Sequence, residues 1–126
     1  CQVFYMTPME ASFVKYGINS FLATKVLWFN QFKDLIDRYD SRYSVVANAV
    51  GYDQRIGNGH TKVPGFDGKK GFGGSCFPKD TAAIANFASG SLTVLEEVME
   101  ANNLYRSQYI LDDREKEQNV SFNSTK

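Results

Sequence analysis

The chain has 126 residues, of which 43% are apolar and 14% aromatic, so it is long enough for one folded domain and too short for two. Fourteen basic residues balance fourteen acidic ones, which argues against binding to nucleic acid or an anionic membrane. No apolar run approaches the length of a membrane span, and the two cysteines and one histidine form no zinc-binding pattern. We therefore expect a cytoplasmic domain that binds neither a metal, a membrane nor a nucleic acid.

The first predicted element is a long helix over residues 8–39. Thr7 can cap its start, Pro8 suits the first helical position, and Glu10 completes a capping-box pattern. Apolar residues follow at helical spacing, on a surface too wide to be left in water. They are Val14, Ile18, Phe21, Leu22, Val26, Phe29, Phe32, Leu35 and Ile36. We expect this helix to be the centre of the fold and to need a partner.

A short helix and a long loop follow. The segment SRYSVVANAV, residues 41–50, has helical spacing and ends at a glycine. Between Gly51 and Ser75 the chain is rich in glycine and poor in aliphatic residues, which predicts a loop. Loops of this length in compact domains are usually functional or disordered. Pro78 then opens another helix, KDTAAIANFA, which Gly90 ends.

The last predicted helix covers residues 91–112. Ser91 or Thr93 can cap it, and two glutamates lie favourably near its start. Residues 113–126 are polar with few apolar anchors, and we expect them to be disordered. The sequence therefore predicts an all-α fold, a small bundle of about four helices with one long central helix and a long glycine-rich loop.

The segment GFGGSCFPKD, residues 71–80, contains a cysteine at a predicted helix start. The unpaired amides and the dipole of such a start lower the pKa of a thiol, and Lys79 adds positive charge nearby. Asp80 lies one turn after Cys76, within reach of a water beside the sulfur. Together these groups can perform covalent acyl chemistry. A lone cysteine is also commonly a packing residue, and the residue chemistry alone leaves both interpretations open.

Lys15 and Asn19 form a second candidate pair. Their i, i+4 spacing puts both on one face of the long helix, among apolar neighbours. An ammonium and an amide are unusual in such surroundings. Taken alone, however, the pair is better explained as a solvated stripe, because most lysines are exposed.

Three blocks of the sequence together resemble the UDP-glucose/GDP-mannose dehydrogenase family. GFGGSCFPKD resembles its active-site signature, MTPMEASFVKYGINSFLATKVLWFNQ its long central helix, and YDQRIGNGHTKVPGFDGKKGFGG its substrate loop. The order and spacing of the blocks agree with the family, and the resemblance covers residues 6–110. A match centred on a cysteine and supported by two flanking blocks is highly specific.

The resemblance implies an enzyme that oxidises the C6 alcohol of a nucleotide sugar to a carboxylate in two NAD-dependent hydride transfers. It implies that Cys76 is the nucleophile that carries a thioester, and that Asp80 helps water to hydrolyse it. Lys15 and Asn19 match the pair that stabilises the developing oxyanion, holds the attacking water and contacts the substrate. The expected substrate is UDP-glucose, with GDP-mannose as the alternative.

The resemblance also implies binding residues. Arg55 matches an arginine that reaches the nucleotide sugar, in many members from the partner subunit. Gly71, Phe72 and Gly73 match the loop that lies along the sugar and ribose. Lys79 matches a contact to NAD.

In domain terms, residues 1–7 resemble the end of an N-terminal Rossmann domain, absent here, that carries the main NAD site. Residues 8–112 resemble the central domain, which forms a homodimer through the long helix, and the polar tail 113–126 follows it. We expect the chain alone to lack activity. The alternative is a non-catalytic helical dimerisation module derived from such an enzyme. The joint presence of the residues matched to catalysis and substrate binding argues against this alternative.

Overall fold

The computed structural model of the protein describes residues 1–123, and its regular structure within this range is entirely helical. The predicted all-α fold, with its long first helix and long loop, is confirmed. No helix within residues 1–123 is both long and apolar enough to cross a membrane. In chain order the helices are α1 (Pro8–Arg38), α2 (Tyr43–Tyr52), α3 (Cys76–Ala88), α4 (Thr93–Arg106) and α5 (Asp113–Glu117).

Helix α1 begins where its capping residues predict. The Thr7 hydroxyl accepts the Glu10 N–H at 3.1 Å, and the Glu10 carboxylate accepts the Thr7 N–H at 3.0 Å. The hydrogen bond from the Thr7 backbone lowers the pKa of Glu10, which favours the charged cap. Pro8 occupies the first helical position, where no intrahelical acceptor is available. The helix ends at Arg38, and Asp40 then turns the chain with a φ of 50°.

Helix α1 is also the centre of the fold, because α2, α3 and α4 all pack against it. Two apolar clusters lie along its length, and the glycine-rich loop contributes to both. The first cluster consists of Phe29, Ile36, Tyr43, Ala47 and Val63. The second consists of Ala23, Leu27 and Phe72, against which Val26, Phe77, Val98, Ala101 and Tyr105 pack. The second cluster fixes the part of the loop that leads into α3.

Side chains of α1 and α2 hold the first part of the loop. The Tyr43 hydroxyl donates a hydrogen bond to the Thr61 carbonyl, and burial raises the pKa of Tyr43 to about 12. The Lys25 ammonium donates to the carbonyls of Ile56 at 2.7 Å and Gly57 at 3.1 Å.

Helix α3 begins two residues earlier than the sequence predicts. Its first residue is Cys76 and not Pro78, although Pro78 still lies in the first turn, where its missing N–H breaks no intrahelical bond. The helix ends at Ala88, and Ser89 and Gly90 follow with φ values of 51° and 89°. This left-handed pair stops the helix close to the predicted glycine.

Helix α4 is shorter than predicted at both ends. Neither Ser91 nor Thr93 caps it, because the Ser91 hydroxyl bonds a carbonyl at the end of α3 and the N-cap residue makes no side-chain bond. The helix ends at Arg106, after which the chain turns back toward the glycine-rich loop. There the Lys69 ammonium donates to the Ile110 carbonyl at 2.9 Å.

The structure differs from the expected disorder of the tail over residues 113–123. Asp112 and Glu115 form a capping box that starts α5, with distances of 2.8 and 3.0 Å. The side chains of Glu115 and Phe122 are buried. The polar composition of this segment did not indicate that these two residues would be buried against the rest of the fold. Residues 124–126, the rest of the predicted tail, lie outside the described residues.

Candidate active site

Cys76 is the first residue of α3, and its side chain is exposed. The chain turns into the helix at Gly74, whose φ of 77° lies in the left-handed region that favours glycine. The Ser75 hydroxyl lies 3.9 Å from the Cys76 sulfur. The amides in the first turn of a helix have no intrahelical acceptors and stabilise a nearby anion. The sulfur therefore occupies a position that suits an accessible nucleophile.

A hydrogen bond between Asn19 and Asp80 joins α1 to α3 close to this cysteine. The Asn19 amide nitrogen donates to Asp80 Oδ2 at 2.6 Å, and the Asp80 residue is only 2% exposed. Asp80 Oδ1 is buried and has no hydrogen-bond partner within residues 1–123. A buried carboxylate oxygen without a partner is costly, so it is suited to accept a hydrogen bond from a bound water or substrate.

The two lysines of the predicted site are exposed. The Lys15 ammonium lies 5.5 Å from the centre of the Tyr16 ring, and among residues 1–123 it makes no hydrogen bond to Asn19 or Asp80. Lys79 lies in the first turn of α3, on the exposed side. The structure thus brings Asn19 and Asp80 together and leaves both ammonium groups in solvent. Within the described part of the chain, no three His, Cys, Asp or Glu side chains are grouped to hold a metal ion.

Two asparagines hold the backbone of the glycine-rich segment. The Gly71 N–H donates to Asn30 Oδ1 at 2.9 Å, from α1. On α4, Asn102 bonds Phe72 twice, since Oδ1 accepts the Phe72 N–H at 2.7 Å and Nδ2 donates to the Phe72 carbonyl at 2.9 Å. All four residues are buried. The predicted substrate loop is therefore fixed at two consecutive residues.

Arg106 is the charged centre of the same region. Its guanidinium, 2% exposed, pairs with Asp67 at 2.7 Å, donates to the Gly71 carbonyl at 3.0 Å and lies 3.7 Å from the Glu115 carboxylate. Burial acts to raise the pKa of Asp67, but hydrogen bonds from Arg106 and the Lys69 backbone outweigh it, so this pKa lies below its ordinary value. The loop is held by a buried ion pair as well as by amides.

A second ionic contact anchors the loop to α1. The Lys70 ammonium lies 2.6 Å from Asp34 Oδ1, and the Tyr105 hydroxyl donates to Asp34 Oδ2. Burial acts to raise the pKa of Asp34, and the hydrogen bonds from Lys70 and Tyr105 outweigh it and lower this pKa. Burial and the bond to Asp34 both raise the pKa of Tyr105.

Arg55 lies in the first part of the loop, away from these anchors. Its side chain is 89% exposed and makes a two-point ion pair with Asp53, at 2.7 and 3.0 Å. The hydrogen bond from Arg55 lowers the pKa of Asp53. Arg55 borders a cavity of about 290 Å³ that it shares with Phe21 and Trp28 of α1. The residue is accessible, and it adjoins the apolar surface of the long helix.

That surface is an exposed apolar stripe along α1. Phe21 is 69% exposed and Trp28 54%. Successive members of the stripe are four, three, seven and seven residues apart. This is the heptad spacing of helices that pack side by side. The members of this α1 stripe are Val14, Ile18, Phe21, Trp28 and Leu35.

The sequence did not identify the side chains that hold the glycine-rich segment before Cys76. These are Asn30, Asn102, Arg106 and Glu115. Only Glu115 among these four could have been predicted from a local pattern. It follows Asp112 by three residues, which is a capping-box pattern. The asparagines and the arginine look like ordinary polar positions of two helices.

Comparison with known proteins defines the class. A family model described as the UDP-glucose/GDP-mannose dehydrogenase family, central domain, matches residues 9–104. The chain therefore belongs to this family. The matched region contains Lys15, Asn19, Arg55, Cys76 and Asp80.

The similar curated proteins are named as UDP-glucose 6-dehydrogenases. The UDP-glucose 6-dehydrogenase TuaD of Bacillus subtilis is 40% identical over 100 residues, which cover 77% of this chain and 21% of TuaD. The UDP-glucose 6-dehydrogenase of Rickettsia typhi is 36% identical over 105 residues, covering 80% of this chain and 23% of that protein. The chain thus spans about a fifth of the length of the relatives it matches.

Proposed function

We propose that this chain is the catalytic-cysteine region of an NAD-dependent UDP-glucose 6-dehydrogenase. Membership in the family and the names of the relatives support the class of reaction. The observation that carries the proposal is the juxtaposition of an exposed sulfur with a buried carboxylate one turn away, oriented by a side chain from another helix.

In the proposed reaction the Cys76 thiolate adds to the C6 aldehyde of the oxidised sugar and forms a thiohemiacetal. The hydride of this adduct would be accepted by NAD, if bound beside it, and a thioester would remain on the Cys76 sulfur. The amides at the start of α3 stabilise the thiolate and the oxyanion beside it. Asn19 donates one N–H to Asp80 and keeps its second N–H for the oxyanion.

Hydrolysis of the thioester needs a water held near the sulfur. Asp80 Oδ1, which has no partner within residues 1–123, can accept a hydrogen bond from this water and then its proton. The water's oxygen bonds to the carbonyl carbon, and the sulfur leaves as thiolate. Lys15 is exposed on the same face of α1 as Asn19, and we assign it to the developing negative charge.

NAD, when bound, supplies the hydride acceptor for both oxidations. Dinucleotide sites are built on a glycine-rich turn between a strand and a helix, and residues 1–123 contain no strand. This region therefore does not fit the whole cofactor, and Lys79 is the residue that we assign to a contact with it. Without the remaining parts of such an enzyme, we expect the chain to be inactive.

For the substrate we propose UDP-glucose, bound by Arg55 and along Gly71, Phe72 and Gly73, with GDP-mannose as the alternative. Alkylation of Cys76 by iodoacetamide should be slower in the presence of UDP-glucose than of GDP-mannose. Stronger protection by GDP-mannose would favour the alternative substrate.

The decisive experiment is a chimaera in which residues 9–104 of this chain replace the matching segment of Bacillus subtilis TuaD. We expect it to form the sugar acid from UDP-glucose with NAD. Cys76→Ser should lower acid formation by about a thousandfold or more, and Asp80→Asn by about a hundredfold. Asp40→Asn, at an exposed turn, is the matched control. A folded chimaera that lacks activity, or a Cys76→Ser variant that keeps it, would contradict the proposal.

We further propose that the chain forms a homodimer through the α1 stripe. The stripe has heptad spacing and is uncovered, and Arg55 borders the same cavity as two of its members. An arginine at that edge can reach the site of a partner subunit. Phe21→Glu should convert the dimer to a monomer in analytical ultracentrifugation, whereas Phe66→Glu, at a fully exposed loop position, should not. A monomeric unaltered chain would refute the dimer.

The exposed position of Lys15 is compatible with a second candidate, a dimerisation module without catalysis. The two candidates differ in what the chimaera does, because the module predicts a dimeric chimaera that forms no acid.

A further inference from the structure

The residues after α4 return to the loop that carries Cys76. The family match ends at residue 104, so the C-terminal segment 112–123 lies outside it. This segment is tied to the rest of the fold, because the Asn103 side chain donates to the Asn123 carbonyl at 3.1 Å and Phe122 is buried. Its buried carboxylate, Glu115, is 1% exposed and contacts the loop.

Glu115 uses both carboxylate oxygens on backbone amides. Oε2 accepts the Gly74 N–H at 2.9 Å, and Oε1 accepts the Asp112 N–H at 3.0 Å. The Arg106 guanidinium, which also pairs with Asp67, lies 3.7 Å from Oε2. Hydrogen bonds to a charged acceptor are roughly twice as strong as neutral ones, so the bond to Gly74 is a firm constraint on the loop.

The position of this bond matters because Gly74 precedes Cys76 by two residues. Ser75, between them, is the N-cap residue of α3 but makes no side-chain capping bond. Gly73 allows the carboxylate to approach, since a Cβ at that position would lie 2.3 Å from the nearer oxygen of Glu115. A side chain from outside the helix thus fixes the backbone where the local cap does not.

We propose that Glu115 is a positioning residue for Cys76. By holding the Gly74 N–H, it fixes the turn into α3 and therefore the direction in which the Cys76 side chain leaves the helix. The action is indirect, through the backbone. The reaction of the positioned sulfur rests on the proposed function, whereas the positioning itself can be measured without it.

The test compares the alkylation rates of Cys76 and Cys1 in the whole chain. Both cysteines are exposed, so timed reaction with iodoacetamide and peptide mass spectrometry give the ratio of the two rates. Glu115→Ala should lower the ratio of Cys76 to Cys1 by about threefold or more, because the turn that sets the direction of the Cys76 side chain is no longer fixed. Glu115→Gln keeps an acceptor for Gly74, and its ratio should stay within about twofold of the unaltered chain.

Glu117→Ala is the matched control, at an exposed position of the same helix, and should leave the ratio unchanged. Circular dichroism reports whether each variant is folded, and the Cys1 rate corrects for differences in reagent activity. An unchanged or higher ratio in Glu115→Ala would overturn the proposal. So would a Glu115→Gln variant that behaves like Glu115→Ala, because this variant keeps the shape of the side chain and an acceptor for the Gly74 N–H and loses only the charge beside Arg106.

Amide hydrogen exchange in the unaltered chain tests the same contact if Glu115→Ala does not fold. The Gly74 amide should exchange about tenfold or more slowly than the Gly59 amide, whose surroundings are open. Equal rates would overturn the proposal. Neither measurement uses NAD or turnover, so its failure is distinguishable from an inactive chimaera.

Discussion

The loop between α2 and α3 has two parts that are held in different ways. In residues 67–75 the backbone amides of Gly71, Phe72 and Gly74 each donate to a buried side chain of another element. In residues 53–66 most bonds are local, such as those within Asp53–Arg55, and side chains of α1 and α2 bond three carbonyl groups of this part. Phe66 is 99% exposed. One glycine-rich segment therefore contains a part whose amides are fixed by buried side chains, the fixed part, and a less constrained part, the open part.

This difference corresponds to the roles that we propose for the two parts. A nucleophilic sulfur must be held to within a fraction of an ångström, and buried polar side chains that bond backbone amides provide such a constraint. An arginine that reaches another subunit needs solvent access instead. The fixed part is stabilised by a network of buried hydrogen bonds and ion pairs. Removal of one group from such a network leaves its partners unsatisfied.

The largest loss of stability is expected from Arg106→Met, which acts on the fixed part of the loop. The substitution removes a buried cation and leaves two carboxylates, Asp67 and Glu115, without their charge partner. We expect the free energy of unfolding to fall by about 3–5 kcal/mol, measured by urea denaturation.

Arg55→Ala is the matched control from the open part of the loop. It removes an exposed ion pair, and the free energy of unfolding should change by less than about 0.5 kcal/mol. Similar losses for the two arginines would mean that the two parts do not differ in the way described here.

A second comparison of the two parts uses two glycines that have the same backbone conformation but different surroundings. Gly71 and Gly57 have φ values of 78° and 75°. A Cβ at Gly71 would lie 2.4 Å from the Asn102 side chain, whereas a Cβ at Gly57 would meet nothing within 4 Å. Gly57→Ala should cost about 1–2 kcal/mol from backbone strain alone, and Gly71→Ala about 2–4 kcal/mol.

Thermal unfolding of the two alanine variants measures the difference directly. The backbone contribution cancels between them, so what remains is the cost of disturbing Asn102 and its bonds to Phe72. Equal shifts of the two melting temperatures would show that the close packing at Gly71 can relax.

The sequence predicts the existence of α1 to α4 but neither α5 nor the anchors, for a physical reason. The start of α1 follows from Thr7 and Glu10, which are local, and helical spacing reports which face is apolar. The family resemblance implied that Asn19 and Asp80 act at one site, but the hydrogen bond between them was not predicted. The anchors bond residues 30 to 41 positions away in the chain, and the composition of a helix does not indicate which distant amide faces a polar side chain.

The smallest expected effect is a change in pH dependence at Asp67. Its pKa lies below the ordinary value because the bonds from Arg106 and Lys69 outweigh burial, so its contribution is present above about pH 4 and is lost as the pH falls through the folded-state pKa. Asp67→Asn should lower the free energy of unfolding by about 1–2 kcal/mol at neutral pH, and this difference should shrink below pH 4. Asp40→Asn, at an exposed turn, should show no such convergence. A difference for Asp67→Asn that stays constant down to acid pH would mean that the carboxylate does not stabilise the fixed part of the loop through its charge.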